Sequence, residues 1–128
     1  LGADKDAVET SGAALRKVLV VDDEPDLADL AAALLCGNGV EAMVAYSGPD
    51  ALRALEGDRE IDAVFSDVMM PGMTGLQLAE CIRERYPWVK VILTSGYTIP
   101  SLLAGARQPY LFTSKPYSIE TIIRLLHS

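Results

Sequence analysis

Aromatic residues are scarce in this 128-residue chain, at 6% of positions, so the core has to be built from Val, Leu, Ile and Ala. Basic residues are also in the minority. Eleven Lys and Arg stand against 18 Asp and Glu, a formal net charge of −7. That balance excludes direct nucleic-acid contact, which needs clustered cations. No run of 18 apolar residues occurs, so no membrane contact is expected of this domain, and no secretory signal is visible. Only two cysteines are present, Cys36 and Cys81. Both fall on apolar faces of predicted helices, which points to reduced core thiols and a cytoplasmic setting. The length fits one domain with one core.

Residues 1–15 are small and polar with no sustained period, and are expected to be a linker or disordered tail. From residue 16 to 128 two kinds of segment alternate. Short β-branched runs at Lys17–Val21, Glu41–Ala45, Ile61–Ser66, Val89–Ser95 and Tyr110–Thr113 predict strands. Those ending at Val21, Ser66 and Ser95 are apolar enough to be central and parallel. Between them, Leu27, Leu30, Ala31, Leu34 and Leu35 follow helical spacing after Pro25, and Gly37-Asn38-Gly39 ends that helix. A second helix is expected at 49–55. A third starts at Thr74, where Thr-Gly-Leu-Gln has the form of a capping box. The last starts at Ser118 and carries Ile119, Ile122, Ile123 and Leu126 on one stripe. Between Gly96 and Gln108 the helical signal is weak, because Pro100 and Gly105 interrupt it.

Strands alternating with helices predict an α/β fold on a parallel sheet with right-handed crossovers. Ligands of such sheets bind outside the carboxyl ends of the strands. The polar residues just after each strand are therefore the candidates for a site. Asp22-Asp23-Glu24 come after the first, Asp67 after the third, and Ser114-Lys115-Pro116 after the fifth, while Thr94-Ser95-Gly96 close the fourth. Close carboxylates repel one another, and a divalent cation relieves the repulsion. Mg2+ takes oxygen ligands and commonly binds one or two carboxylates plus phosphate. A lysine and a hydroxyl beside them suit phosphoryl oxygens. An aspartate can itself be the phosphoryl nucleophile. The set reads as in-line phosphoryl transfer onto Asp67, with Mg2+ and Lys115 assisting.

The motifs VLVVDDEP (18–25), SDVMMPGMTG (66–75), VILTSG (91–96) and SKPYS (114–118) resemble those of the receiver domain of two-component response regulators. The resemblance covers residues 16–127. It implies a flavodoxin-like doubly wound fold, a five-stranded parallel sheet in the order 2-1-3-4-5, here with a reduced fourth helix over residues 96–108. It also implies that Asp22 and Asp23 help hold Mg2+, and that the Met69 carbonyl adds a metal ligand. Asp67 would accept phosphate from a phosphohistidine, and Lys115 would contact the phosphoryl group ahead of a cis bond to Pro116. Ser95, 28 residues after Asp67, takes the place of the switch hydroxyl in preference to Thr94, since strand alternation lets only one of them face the site. Phe112 takes the place of the switch aromatic. The implied partner is a histidine kinase or a histidine phosphotransfer domain.

Each residue also has a plain reading. Asp22 or Asp23 could merely cap a helix and Asp67 merely start a turn, but their joint placement at one sheet edge favours the site. Met69, Met70 and Met73 are expected to fill gaps around the loop. Gly72 and Gly75 are expected to serve loop geometry and the start of a helix. His127, at a helix end, is not read as a phosphodonor, and Trp88 is read as a partly exposed packing residue. A pseudo-receiver that only docks partners is disfavoured because no acidic or lysine position is lost. An aspartate phosphatase of the haloacid dehalogenase type would need Asp-x-Asp, not Asp22-Asp23. The LTSGY run (93–97) and the short stretch before Lys115 resemble receivers at the C-terminus of hybrid histidine kinases, which would tether the domain to a membrane-bound sensor; a stand-alone response regulator is the alternative. Bulky Met69 and Tyr97, each two residues beyond a site residue, lead us to expect slow loss of the phosphoryl group to water.

Overall fold

A computed structural model describes residues 17–96, 111–115 and 117–127. The elements run β1 (Lys17–Val21), α1 (Pro25–Gly37), β2 (Glu41–Ala45), α2 (Gly48–Gly57), β3 (Ala63–Asp67), α3 (Gly75–Arg85), β4 (Lys90–Ser95), β5 (Leu111–Ser114) and α4 (Ile119–Leu126). All pairings in the sheet are parallel, in the order β2-β1-β3-β4-β5. The parallel sheet is what the alternation of strands and helices predicts, and its order is the 2-1-3-4-5 that the resemblance implies. The weak helical stretch after Gly96, Tyr97, the tail 1–15 and the Lys115–Pro116 bond lie outside the described residues.

The apolar runs end where the chemistry begins. β3 is buried along its whole length, and β1 is buried beyond its first residue. One face of the sheet (Val18, Val20, Ala63, Phe65, Ile92) packs on Ala28, Ala31 and Leu35 of α1 and on Ile122 and Leu126 of α4. The other face (Leu19, Val21, Val64) packs on Ala51 and Leu55 of α2 and Leu78 and Ile82 of α3. Each buried Leu, Ile or Val contributes about 1.5–3 kcal/mol, so these two layers supply most of the driving force.

Helix starts follow their capping residues. Ser47 Oγ accepts from Asp50 N, Thr74 and Gln77 form a reciprocal capping box, and Ser118 Oγ accepts from Thr121 N. The far end of α4 is tied down by Lys90, whose Nζ donates to the carbonyls of Leu125 and Leu126.

Three expectations need correction. In α1 the buried residues are Ala28, Ala31 and Leu35, whereas Leu27, Leu30 and Leu34 are 39%, 57% and 42% exposed. Both stripes are apolar at helical spacing, so periodicity alone does not choose between them, and the small alanines are what let the helix approach the sheet. Cys36 is exposed, not a core thiol, and Cys81 is half-buried. Met70 and Met73 pack against the core, but Met69 is 48% exposed.

Candidate functional site

The ends of β1, β3, β4 and β5 converge on one cavity of about 220 Å³, lined by Asp23, Glu24, Asp67, Met69, Ser95, Gly96 and Lys115. Asp22 leaves β1 with its Oδ1 accepting the Glu24 N–H at 3.0 Å. That bond turns the chain toward α1 and leaves Oδ2 facing Lys115. Asp67 ends β3, and its Oδ1 accepts the Met69 N–H at 3.3 Å. The Lys115 ammonium donates to Asp67 Oδ2 at 3.3 Å and to Asp22 Oδ2 at 3.5 Å.

The loop after Asp67 is held from behind. Gly72 adopts φ +75, a turn geometry that favours glycine. Gly75 begins α3 against the end of β3. Its N–H bonds the Val68 carbonyl at 2.9 Å, and a Cβ there would lie 2.2 Å from the Asp67 carbonyl oxygen. Only glycine permits that approach.

Asp22, Asp23 and Asp67 each offer a carboxylate oxygen within 4.8 Å of the others. Asp22 and Asp67 are buried and Asp23 is more open. Burial pushes the Asp67 carboxyl above the ordinary range; the Lys115 charge opposes that shift and the Asp22 charge adds to it. For Lys115, burial acts to lower the ammonium's affinity for its proton, but Asp67 and Asp22 together outweigh it, so the net shift is upward. The site gathers three carboxylates around one ammonium. An all-oxygen set of three carboxylates fits a hard divalent cation such as Mg2+.

The two hydroxyl candidates stand on opposite faces of β4. Thr94 is in register with Asp67, and Ser95 follows it at the strand end and lines the cavity. Ser95 and Thr94 are both buried. Phe112 is paired in register with Leu93 and packs in the small cluster of Val68, Ala79 and Leu93, so it lies on the face that alternation gives Ser95.

Glu24, one of the polar residues that follow the first strand, lines the cavity, though no role was assigned to it. Two features were not anticipated, the position of Tyr117 and a groove beside it. Tyr117 is half-buried, with its ring edge-on to Phe65 at 5.1 Å between centroids. Burial pushes its phenol up. It also walls an apolar groove of about 400 Å³ with Leu27, Leu30, Ala31, Leu34 and Lys115. That groove is larger than the acidic cavity, but its lining is mostly apolar; the carboxylates make the smaller one the candidate site. Lys115 lines both. Among the described residues, no helix is long and apolar enough to cross a membrane.

The sequence model for the family described as "Response regulator receiver domain" matches residues 18–127. A putative NtrX-like response regulator from Rickettsia bellii (strain RML369-C) is 34% identical over 113 residues, covering 85% of this chain and 23% of that protein. The crystal structure of a receiver domain protein from Clostridium thermocellum superposes with a TM-score of 0.80 at 27% identity, covering 88% of this chain and 91% of that one. The chemotaxis protein CheY4 of Vibrio cholerae gives 0.79 at 28% identity, with 88% and 97% coverage. The chain therefore spans about a quarter of the curated relative's length and nearly all of each receiver structure.

Proposed function

This chain belongs to the receiver-domain family of two-component response regulators, and from that premise we propose that it takes a phosphoryl group onto Asp67 from a phosphohistidine. The observation that carries the reading is the Lys115 ammonium set between Asp67 Oδ2 and Asp22 Oδ2 at the mouth of a three-carboxylate cavity. A carboxylate oxygen of Asp67 attacks phosphorus, the P–N bond to the donor imidazole breaks, and an acyl phosphate forms. Lys115 moves its hydrogen bonds from carboxylate to phosphoryl oxygens as charge develops there. Met69 N–H holds Asp67 oriented through Oδ1. Asp22, Asp23, Asp67 and the Met69 carbonyl would hold Mg2+, which when bound offsets the phosphoryl and carboxylate charge. Ser95 and Phe112, sharing one face of adjacent strands, are the pair we assign to relaying phosphorylation outward: Ser95 hydrogen-bonds the phosphoryl group and Phe112 follows it inward.

The donor is a protein, a histidine kinase or a histidine phosphotransfer domain. The apolar groove supports that reading. Three part-exposed leucines on α1 sit beside the reactive lysine, where a small donor would leave them in water. We place the parent chain among hybrid histidine kinases, on the LTSGY run. A stand-alone response regulator is the second reading, and the likeness to an NtrX-like response regulator supports it. The full parent sequence, carrying or lacking a phosphorylatable histidine, separates them.

Incubation with Mg2+ and acetyl phosphate, followed by intact mass, tests the assignment. One phosphoryl adduct is expected, absent in Asp67→Asn. No adduct with any donor would leave a docking module in its place.

A further inference from the structure

The side chain of Lys115 has to cross a strand to do its work. Lys115 follows β5 and Asp67 ends β3, with β4 between them. Neighbouring strands lie roughly 4.8 Å apart, so the lysine stem reaches over β4 to bring Nζ within 3.3 Å of Asp67 Oδ2. The β4 residue in register with Asp67 is Thr94, and on its other side Thr94 pairs with Thr113 of β5.

Register partners in a parallel sheet present their side chains to one face. The row two residues earlier obeys this here. Phe65, Ile92 and Leu111 are in register and all belong to the core layer under α1 and α4. Thr94 and Thr113 therefore share that face, and Lys115, two residues beyond Thr113, lines the groove beside α1 on the same side. Thr94 is 2% exposed, and its Oγ1 has no hydrogen-bond partner among the described residues. A buried hydroxyl without a partner is a cost to the resting fold, and valine would fill the same space without it. The ammonium meanwhile has three N–H donors, and the two carboxylates accept from two.

We propose that Thr94 is a positioning residue for Lys115, its buried hydroxyl accepting a hydrogen bond from the ammonium once Asp67 carries a phosphoryl group. The inference rests on the phosphoacceptor reading of the site. In the resting geometry the ammonium is drawn to Asp67 and Asp22. When Asp22 is engaged with a cation, its Oδ2 no longer competes for the lysine. Lys115 then divides its donors between phosphoryl oxygens and Thr94 Oγ1, which fixes the stem over β4. The residue costs stability at rest and returns it in the phosphorylated state.

The test compares the full chain with Thr94→Val and Thr94→Ser. Thermal unfolding is followed without ligand and with Mg2+ plus beryllofluoride, an acyl-phosphate mimic. Labelling by acetyl phosphate is followed by intact mass. For Thr94→Val we expect an unliganded midpoint equal to or above that of the parent chain. Its gain from Mg2+ and beryllofluoride should be smaller, and its labelling roughly tenfold slower, the scale of one hydrogen bond to a charged group. Thr94→Ser should restore both. A full ligand gain and normal labelling in Thr94→Val would overturn the proposal. So would a lowered unliganded midpoint in that variant, or a Ser variant that behaves like Val. If the parent chain itself gains nothing from beryllofluoride and takes no label, the phosphoacceptor reading falls and this inference with it.

Discussion

Gly75→Ala should both destabilise the domain and disable Asp67, although residue 75 carries no chemistry. A methyl group there would sit 2.2 Å from the Asp67 carbonyl oxygen and 2.8 Å from the Val68 Cα, and both obstacles are backbone. Contacts below 3.0 Å are essentially unknown for real Cβ atoms, so α3 and the acceptor strand must part by about 1 Å. Overpacking of that kind costs about 1–3 kcal/mol. The bond from Gly75 N–H to the Val68 carbonyl adds about 1 kcal/mol if it breaks. At this chain length each kcal/mol lowers the unfolding midpoint by about 3–5 °C, so a fall of roughly 5–15 °C is expected. A displacement of about 1 Å at a reacting group can cost on the order of 100-fold in rate. Thermal unfolding and acetyl-phosphate labelling measure the two effects. Gly57→Ala is the control, since no described residue lies within 4 Å of its added Cβ and it ends a helix. It should be neutral or stabilising by up to about 1 kcal/mol. If Gly75→Ala labels and melts like the parent chain, the close approach does not position Asp67 and the reasoning fails.

The Asp67 carboxyl lies above its ordinary 3.8, so the folded state holds that proton more tightly than the unfolded chain does. Its contribution to stability is present below 3.8 and lost as pH rises through the folded value; Asp67→Asn should flatten that part of the stability–pH curve. The stabilisation given by Mg2+ should weaken on acidification at a higher pH than an ordinary aspartate would set, and a Mg2+ response that persists down to the ordinary range would contradict the assignment. Met69 lines the cavity while half-exposed, so Met69→Asn, offering water a hydrogen bond, should speed loss of the acyl phosphate roughly fivefold, the scale of about 1 kcal/mol. Rapid loss already in the parent chain, in Mg2+ without a phosphatase, would refute the shielding role. Leu30→Glu should slow transfer from a phosphohistidine protein by about tenfold while leaving acetyl-phosphate labelling unchanged, because the charge falls in the groove and not in the acidic cavity. Equal slowing with both donors would point to damage in the fold.

Much of this fold was legible because the relevant signals are local. β1 and β2 begin and end where their β-branched runs do, and Thr74 and Ser118 cap the helices they precede. The rule that chemistry collects at the carboxyl ends of parallel strands groups Asp22, Asp23, Asp67 and Lys115, and all four meet at one sheet edge. The illegible part depends on which of two equivalent options tertiary packing selects. In α1 every candidate position is apolar, so only the closeness of helix and sheet decides that Ala28 and Ala31 face in and Leu30 faces water. Cys36 followed the same error, because it belongs to that helix's outer side. At Thr94-Ser95 the sequence offers two adjacent hydroxyls. Alternation separates them, but only the folded chain shows that Thr94 is in register with Asp67 while Ser95 lines the cavity. Tyr117 gave no sign of its double position on Phe65 and on the groove, since both contacts come from distant parts of the chain.

The central claim is that Asp67 carries the phosphoryl group. Labelling with a phosphohistidine donor in Mg2+, reduction of the acyl phosphate by borohydride and peptide mapping by mass spectrometry address it directly. Reduction of a phosphoaspartate leaves homoserine, so homoserine at position 67, and at neither Asp22 nor Asp23, is the expected result. Homoserine at another aspartate, or an unmodified residue 67 in a chain that has taken up phosphate, would contradict it.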